Sequence, residues 1–284
     1  MKNVITRSLT GLLYIAVIVG AIYSGALWFW LLTVLCAVLG VNEFNRISNS
    51  GHNSNTTGLL DIIGAIVLVS AGTVLGKQNC LPGFMGTWAL DTFLFAYIVY
   101  LLARLIAQLY VQDGNALAHY SHSLMGQLYV ALPLSLLGWL YGLTSPTFIL
   151  AIFVLIWLSD TGAFCVGSLI GHHKLFERIS PKKTWEGFFG GLLFCLLAAA
   201  LFQIFLPDSF CGITLWQALG LGAVVCIFGT WGDLVESLIK RTLGVKDSGH
   251  MLPGHGGILD RIDSLLLVVP AVLAYLLALA VYSF

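Results

Sequence analysis

Apolar residues in this chain fall into nine runs of membrane-spanning length, at about 9–24, 26–44, 58–76, 89–110, 124–143, 146–170, 187–206, 213–238 and 262–283. A hydrocarbon core of ~30 Å takes about 20 apolar residues per helix. Within lipid, backbone N–H and C=O groups must pair inside the spanning element, which leaves helices or closed barrels. Barrel strands are short and alternating, whereas these runs are long and continuous. The expected fold is therefore all-α: a polytopic transmembrane helical bundle of about nine helices. Composition agrees, with 58% hydrophobic and 9% charged residues. A soluble domain carries roughly a quarter charged residues, so a soluble globule, a disordered chain and a coiled coil are excluded.

The 13 basic and 13 acidic residues cancel, which excludes a nucleic-acid binder relying on a basic surface. Their placement carries more. With a cytoplasmic N-terminus, Lys2, Arg7, Arg46, Lys174, Arg178, Lys182, Lys183, Lys240, Arg241, Lys246 and Arg261 all fall inside, and Lys77 falls outside. Arg104 is expected to snorkel at the inner end of the fourth span. The positive-inside rule then predicts an N-in/C-out topology. Ser24-Gly25 joins two short spans, so a re-entrant hairpin is the alternative there. Lys2 and Arg7 before an apolar run also resemble a signal peptide, but no small-x-small cleavage site follows, and a retained helix is expected. The six cysteines show no CxxC spacing, so no zinc or redox motif is suggested. No internal repeat is visible. The domain reading is one integral membrane domain, with a scaffold half over 1–145 and a catalytic half over 146–284.

Ionisable residues concentrate in the second half. Asp160 lies inside the sixth span, where a lone carboxylate costs at least ~2.5 kcal/mol and calls for a partner, a cavity or an ion. The segment 171–187 carries Ser180, Pro181, Lys182, Lys183 and Thr184. Lys182 and Lys183 are expected where a helix begins, a setting that suits a phosphate; contact with anionic lipid is the plainer reading. The adjacent His172 and His173 do not share a helical face and make a weak metal pair. At the inner end of the eighth span, Asp233, Glu236, Ser237 and Lys240 form one polar stripe at 100° per residue. An internal Glu236–Lys240 ion pair would explain two of these four and leave Asp233 unexplained. Finally, Pro253-Gly254-His255-Gly256-Gly257 precedes Asp260-Arg261-Ile262-Asp263. Glycines at this density suit a loop that cradles phosphate. Asp260 and Asp263 could alternatively serve as helix caps.

Together, Asp160, Asp233, Glu236, Asp260 and Asp263 face Lys182, Lys183, Lys240, Arg241, Lys246 and Arg261. Clustered carboxylates with few nitrogen or sulfur donors suit a hard cation such as Mg²⁺, and the bases suit phosphates. The residues alone point to a Mg²⁺-dependent phosphoryl or nucleotidyl transfer site on the cytoplasmic side, acting on a membrane substrate.

The run Ser237-Leu-Ile-Lys240-Arg241-Thr-Leu-Gly-Val-Lys246-Asp247-Ser-Gly-His-Met-Leu-Pro253-Gly-His255-Gly256-Gly257-Ile-Leu-Asp260-Arg261-Ile-Asp263 closely resembles the signature of the phosphatidate cytidylyltransferase (CDP-diacylglycerol synthase) family. Asp160-Thr-Gly-Ala-Phe and Ser180-Pro-Lys182-Lys183-Thr184-Trp-Glu186-Gly187 resemble its upstream segments. The resemblance is strong over about 155–264; the first half resembles the family only as a set of spans. It implies CTP and phosphatidate as substrates, CDP-diacylglycerol and pyrophosphate as products, Mg²⁺ (one or two cations) and a homodimer. It also implies that Asp233 and Asp260 hold the metal, with Asp160 and Asp263 near the site; Glu236 and Asp263, from the carboxylate cluster, are counted with Asp233 and Asp260 as metal ligands. In this reading Asp160, Lys182, Lys183, Asp233, Lys240 and Asp260 carry the chemistry. Ser180, Thr184, Ser237, Arg241, Lys246, His255, Gly256, Gly257 and Arg261 bind substrate. A short chain without a targeting extension points to a bacterial inner membrane. The rival activities are a CTP-dependent polyprenol or phytol kinase, which would move the γ-phosphate, and an ion-coupled transporter using intramembrane carboxylates.

Overall fold

The computed structural model describes residues 2–49, 55–77, 86–112, 115–210, 212–249 and 256–282. Among the described residues there are nine helices: α1 (Lys2–Tyr23), α2 (Ala26–Ser48), α3 (Asn55–Lys77), α4 (Gly86–Gln108), α5 (Ala116–Leu143), α6 (Pro146–Ile170), α7 (Trp185–Phe205), α8 (Leu215–Thr242) and α9 (Leu259–Tyr282). A two-stranded antiparallel hairpin, β1 (Lys174–Phe176) and β2 (Ser180–Thr184), sits between α6 and α7. Among the described residues eight helices are long and apolar enough to cross a membrane, and the stretch Gly11–Tyr23 of α1 is also apolar. The all-α polytopic reading therefore holds. The chain forms two compact units, Met1–Leu143 with Asp247–Arg261, and Thr144–Lys246 with Ile262–Phe284.

In the first unit, α2 to α5 surround a buried polar knot on Asp61. Its Oδ1 pairs with Arg104 Nε at 3.1 Å and accepts from Tyr100 Oη (3.2 Å) and Ser123 Oγ (2.5 Å). Its Oδ2 accepts from Asn45 Nδ2 at 3.0 Å, and its backbone oxygen accepts from Gln127 Nε2 at 2.7 Å. Arg104 thus does not snorkel. It is 5% exposed and turned inward, with its guanidinium 5.7 Å from the Tyr120 ring centre. The reason is Asp61: a carboxylate buried in a span requires a countercharge. The same demand extends α5. Residues 116–123, which precede the span expected at 124–143, are helical because Asn115 Oδ1 caps Leu117 N and Ala118 N, and because Ser123 is drawn to Asp61. A π turn, Gln127–Ala131, shifts the register of α5 where Gln127 reaches Asp61.

In the second unit, α6 and α7 pack closely through small residues. Cβ atoms placed on Gly162 and Gly191 would lie 2.9 Å from the Gly190 carbonyl and 2.7 Å from the Ser159 carbonyl. Small residues let helices without a water-driven force approach until backbones touch. Gly191→Leu is therefore expected to force α6 and α7 apart. Overpacking of ~1–3 kcal/mol lowers the melting temperature in detergent by roughly 2–10 °C. Gly20→Ala, at a position where a Cβ meets nothing within 4 Å, is the control and should melt like the parent; equal melting of both variants would refute the close packing.

Candidate active site

In the second unit the hairpin brings a base to the acidic stripe. Lys182 and Lys183 lie on β2 rather than at a helix start. The helix begins later, at Trp185, because the buried Thr184 supplies the cap: its Oγ1 accepts from Gly187 N at 3.2 Å. Strand pairing is irregular between Lys174 and Phe176, with Lys174 opposite Thr184 and Phe176 opposite Ser180. Phe176 packs edge-on against Trp231 of α8 at 5.6 Å between ring centres. This contact seats the hairpin on α8, and Lys183 Nζ reaches Asp233 Oδ2 at 2.7 Å and the Thr230 carbonyl at 3.2 Å. At the hairpin's other end, His173 Nδ1 lies 2.5 Å from Glu186 Oε1, and the His173 amide donates to the same carboxylate at 3.2 Å. The histidine pair is thus tied to the start of α7 through His173.

The stripe on α8 forms as helical spacing requires. Ser237 Oγ donates to Asp233 Oδ1 at 3.2 Å, and Lys240 Nζ meets Glu236 Oε2 at 2.6 Å. Gly232 allows the first turns of α9 to come close, since a Cβ there would lie 2.7 Å from the Asp263 carbonyl. That approach brings Asp263 to the stripe. Carboxylate oxygens of Asp233, Glu236 and Asp263 all lie within 4.8 Å of one another. Asp263 Oδ1 also accepts from Ser264 N at 2.7 Å. Asp160, on an exposed position of α6, lies within electrostatic reach of Lys183, Asp233 and Asp263. Four acids against two lysines leave a formal excess of two negative charges. Two unit charges at 4.8 Å repel by ~3 kcal/mol at an effective dielectric of 20. Among the described residues the cluster consists of three carboxylates, a set of oxygen donors that fits a hard divalent cation.

The remaining predicted residues are placed as follows. Ser180 is half-buried on β2, and Lys182, Arg241 and Lys246 are exposed. Arg241 closes the last turn of α8, where a cation complements the helix dipole. In the first unit, Asp260 Oδ2 accepts from Gly257 N (2.8 Å), Ser248 N (3.2 Å) and Ser248 Oγ (3.0 Å). Gly256 has φ +80°, a left-handed conformation that favours glycine. The exposed Arg261 accepts from Tyr14 Oη through its backbone oxygen at 3.3 Å. His255 lies outside the described residues.

Sequence reasoning passed over two acids in the first half, Glu43 and Asp61. Both are buried. Glu43 accepts from Leu259 N at 2.9 Å. Their signal is present in the sequence: an ionisable residue in an otherwise apolar run is a site hypothesis by default.

The Cytidylyltransferase family profile matches residues 5–279. The phosphatidate cytidylyltransferase of Staphylococcus saprophyticus subsp. saprophyticus is 34% identical over 268 residues, covering 93% of this chain and 95% of that protein. The proteins of the same name in Staphylococcus aureus and Staphylococcus epidermidis are each 33% identical over 270 residues, with the same coverage. With the similarity running through both halves and nearly every span, the chain belongs to the cytidylyltransferase family and is an integral membrane enzyme of the nucleotidyltransferase class.

Proposed function

We propose that this protein transfers CMP from CTP to phosphatidate at the cytoplasmic face of the membrane, forming CDP-diacylglycerol and pyrophosphate with Mg²⁺ as cofactor. The observation that carries the reading is the cluster of Asp233, Glu236 and Asp263 flanked by Lys183 and Lys240. It is a cation site bordered by ammonium groups, as a reaction between two phosphates requires. The relatives' shared name supplies the substrates. The cytoplasmic orientation rests on the one-sided distribution of basic residues, and the homodimer on family resemblance alone.

In the proposed step a phosphatidate oxygen attacks the α-phosphorus of CTP. One P–O bond forms, the bond between the α-phosphorus and the bridging oxygen breaks, and pyrophosphate leaves with that bonding pair. The nucleophile is already an anion, so no side chain need remove a proton. Asp233, Glu236 and Asp263 would hold Mg²⁺, which would supply neutralisation of charge on phosphate oxygens. Lys183 is anchored by Asp233 and the Thr230 carbonyl; it presents its charge at a fixed point beside the carboxylates. Lys240 does the same from one turn along α8. Fixed charges of this kind lower the barrier because they need not reorganise as the transition state forms. Lys182, Arg241 and Lys246 are assigned to the triphosphate and the leaving pyrophosphate. Asp260, which the resemblance makes a metal ligand, also ties Ser248 to Gly257 at the two ends of the glycine-rich segment.

Purified protein given phosphatidate, Mg²⁺ and α-labelled CTP is expected to place label in the lipid, with γ-label recovered in pyrophosphate. Lipid labelled from the γ position instead would overturn the proposal in favour of a CTP-dependent lipid kinase.

A further inference from the structure

Two carboxylates from different elements grip the neck of the segment that carries the glycine-rich signature. Asp260 ties Ser248 to Gly257. Glu43, near the end of α2, meets the same neck. Its Oε2 accepts from Leu259 N at 2.9 Å. Its Oε1 lies against both Gly249 and Gly257, where an added Cβ on either glycine would collide with it. Glu43 is 9% exposed. A carboxylate so placed is costly, and an apolar side chain would fill the space at lower cost. What the carboxylate adds is a charge-assisted acceptor for the first amide of α9 and a flat oxygen edge that two glycine backbones can approach.

We propose that Glu43 is a positioning residue of the transferase reaction, holding Ser248–Gly249 and Gly257–Leu259 at a fixed separation and thereby setting nucleotide affinity. The inference rests on the reading of the protein as a CTP-dependent transferase. It also gives a reason for two glycines of the signature: Gly249 and Gly257 are small because Glu43 occupies the space of their Cβ atoms.

Glu43→Ala is expected to speed amide hydrogen exchange at Leu259 and to raise the KM for CTP by about tenfold, with the KM for phosphatidate unchanged. Glu43→Gln should recover part of both effects, because its amide oxygen still accepts while a neutral bond is about half as strong as a charge-assisted one. Gly249→Ala should raise the KM for CTP in the parent and do so less in the Glu43→Ala background, where the colliding oxygen is gone. Equal changes for both substrates, identical Ala and Gln variants, or additive effects at 43 and 249 would each overturn the proposal. The parent is assayed alongside with α-labelled CTP. A parent that transfers no label would sink the proposed function while exchange at Leu259 still reports on the clamp. Normal transfer with unaltered exchange in Glu43→Ala would sink the clamp alone.

Discussion

Asp233→Asn is expected to lower turnover by ~10³-fold while leaving the protein inserted and folded. The substitution keeps the shape of the side chain and one of its two acceptor oxygens; Oδ1 now accepts from Ser237 Oγ at 3.2 Å and Oδ2 meets Lys183 Nζ at 2.7 Å, and an amide retains one of these two contacts. What it removes is one of three carboxylates whose oxygens lie within 4.8 Å of one another. A cation that neutralises developing charge contributes several kcal/mol to the barrier, and each ~1.4 kcal/mol is a factor of ten in rate. Lys183 is 24% exposed at its side chain, so it stays hydrated when its partner loses charge. That is why folding is spared. The check is label transfer from α-labelled CTP across a Mg²⁺ titration, with thermal melting measured on the same preparations. Near-parent activity at low Mg²⁺ would remove Asp233 from the metal site.

Arg104→Met is expected to do the reverse, damaging the fold of the first unit. Arg104 and Asp61 have side-chain exposures of 6% and 4%. Loss of the guanidinium strands a carboxylate that also gathers Tyr100, Ser123 and Asn45. Removing one partner of a buried ion pair costs ~3–5 kcal/mol, or a melting temperature lower by roughly 10 °C in detergent. Pairing the change with Asp61→Asn removes the stranded charge and should recover part of the loss, since the two residues share one network. A single variant as stable as the parent, or a double variant no better than the single one, would refute the ion pair as a stabilising element. The Asp61 network draws on Asn45, Tyr100, Arg104, Ser123 and Gln127, none of them assigned to metal or substrate, so the surviving folded fraction should keep the parent's KM for CTP.

The spans were readable because periodicity and length are local properties. Helix α6 was expected at 146–170 and is observed at Pro146–Ile170; α7 and α8 shift by a few residues only. The stripe on α8 was equally readable, since 100° per residue places Asp233, Glu236, Ser237 and Lys240 on one face whatever surrounds the helix. Expectations weakened where a residue's role depends on a distant partner. Lys183 was expected at a helix start but lies on a strand, because the Phe176–Trp231 contact seats a hairpin that no local propensity announced. Arg104 was expected at the membrane surface but is buried, because Asp61 lies 43 residues away in the chain and beside it in space. Glu43 drew no notice, since its partner Leu259 is 216 positions distant.

The sequence by itself determined that the chain spans a membrane with helices, which face of α8 is polar, and, through its signature, the family to which it belongs. These follow from hydrophobic burial and helical period, which act within one element. Only the tertiary structure decided which carboxylates share a cation-sized space, which lysine reaches them, and which buried acids hold the scaffold and the signature segment. Those outcomes depend on close backbone approach at Gly232 and on the pairing of charges across helices. Electrostatic energy at membrane depth depends on separations of a few ångströms, and such separations exist only once the helices are packed.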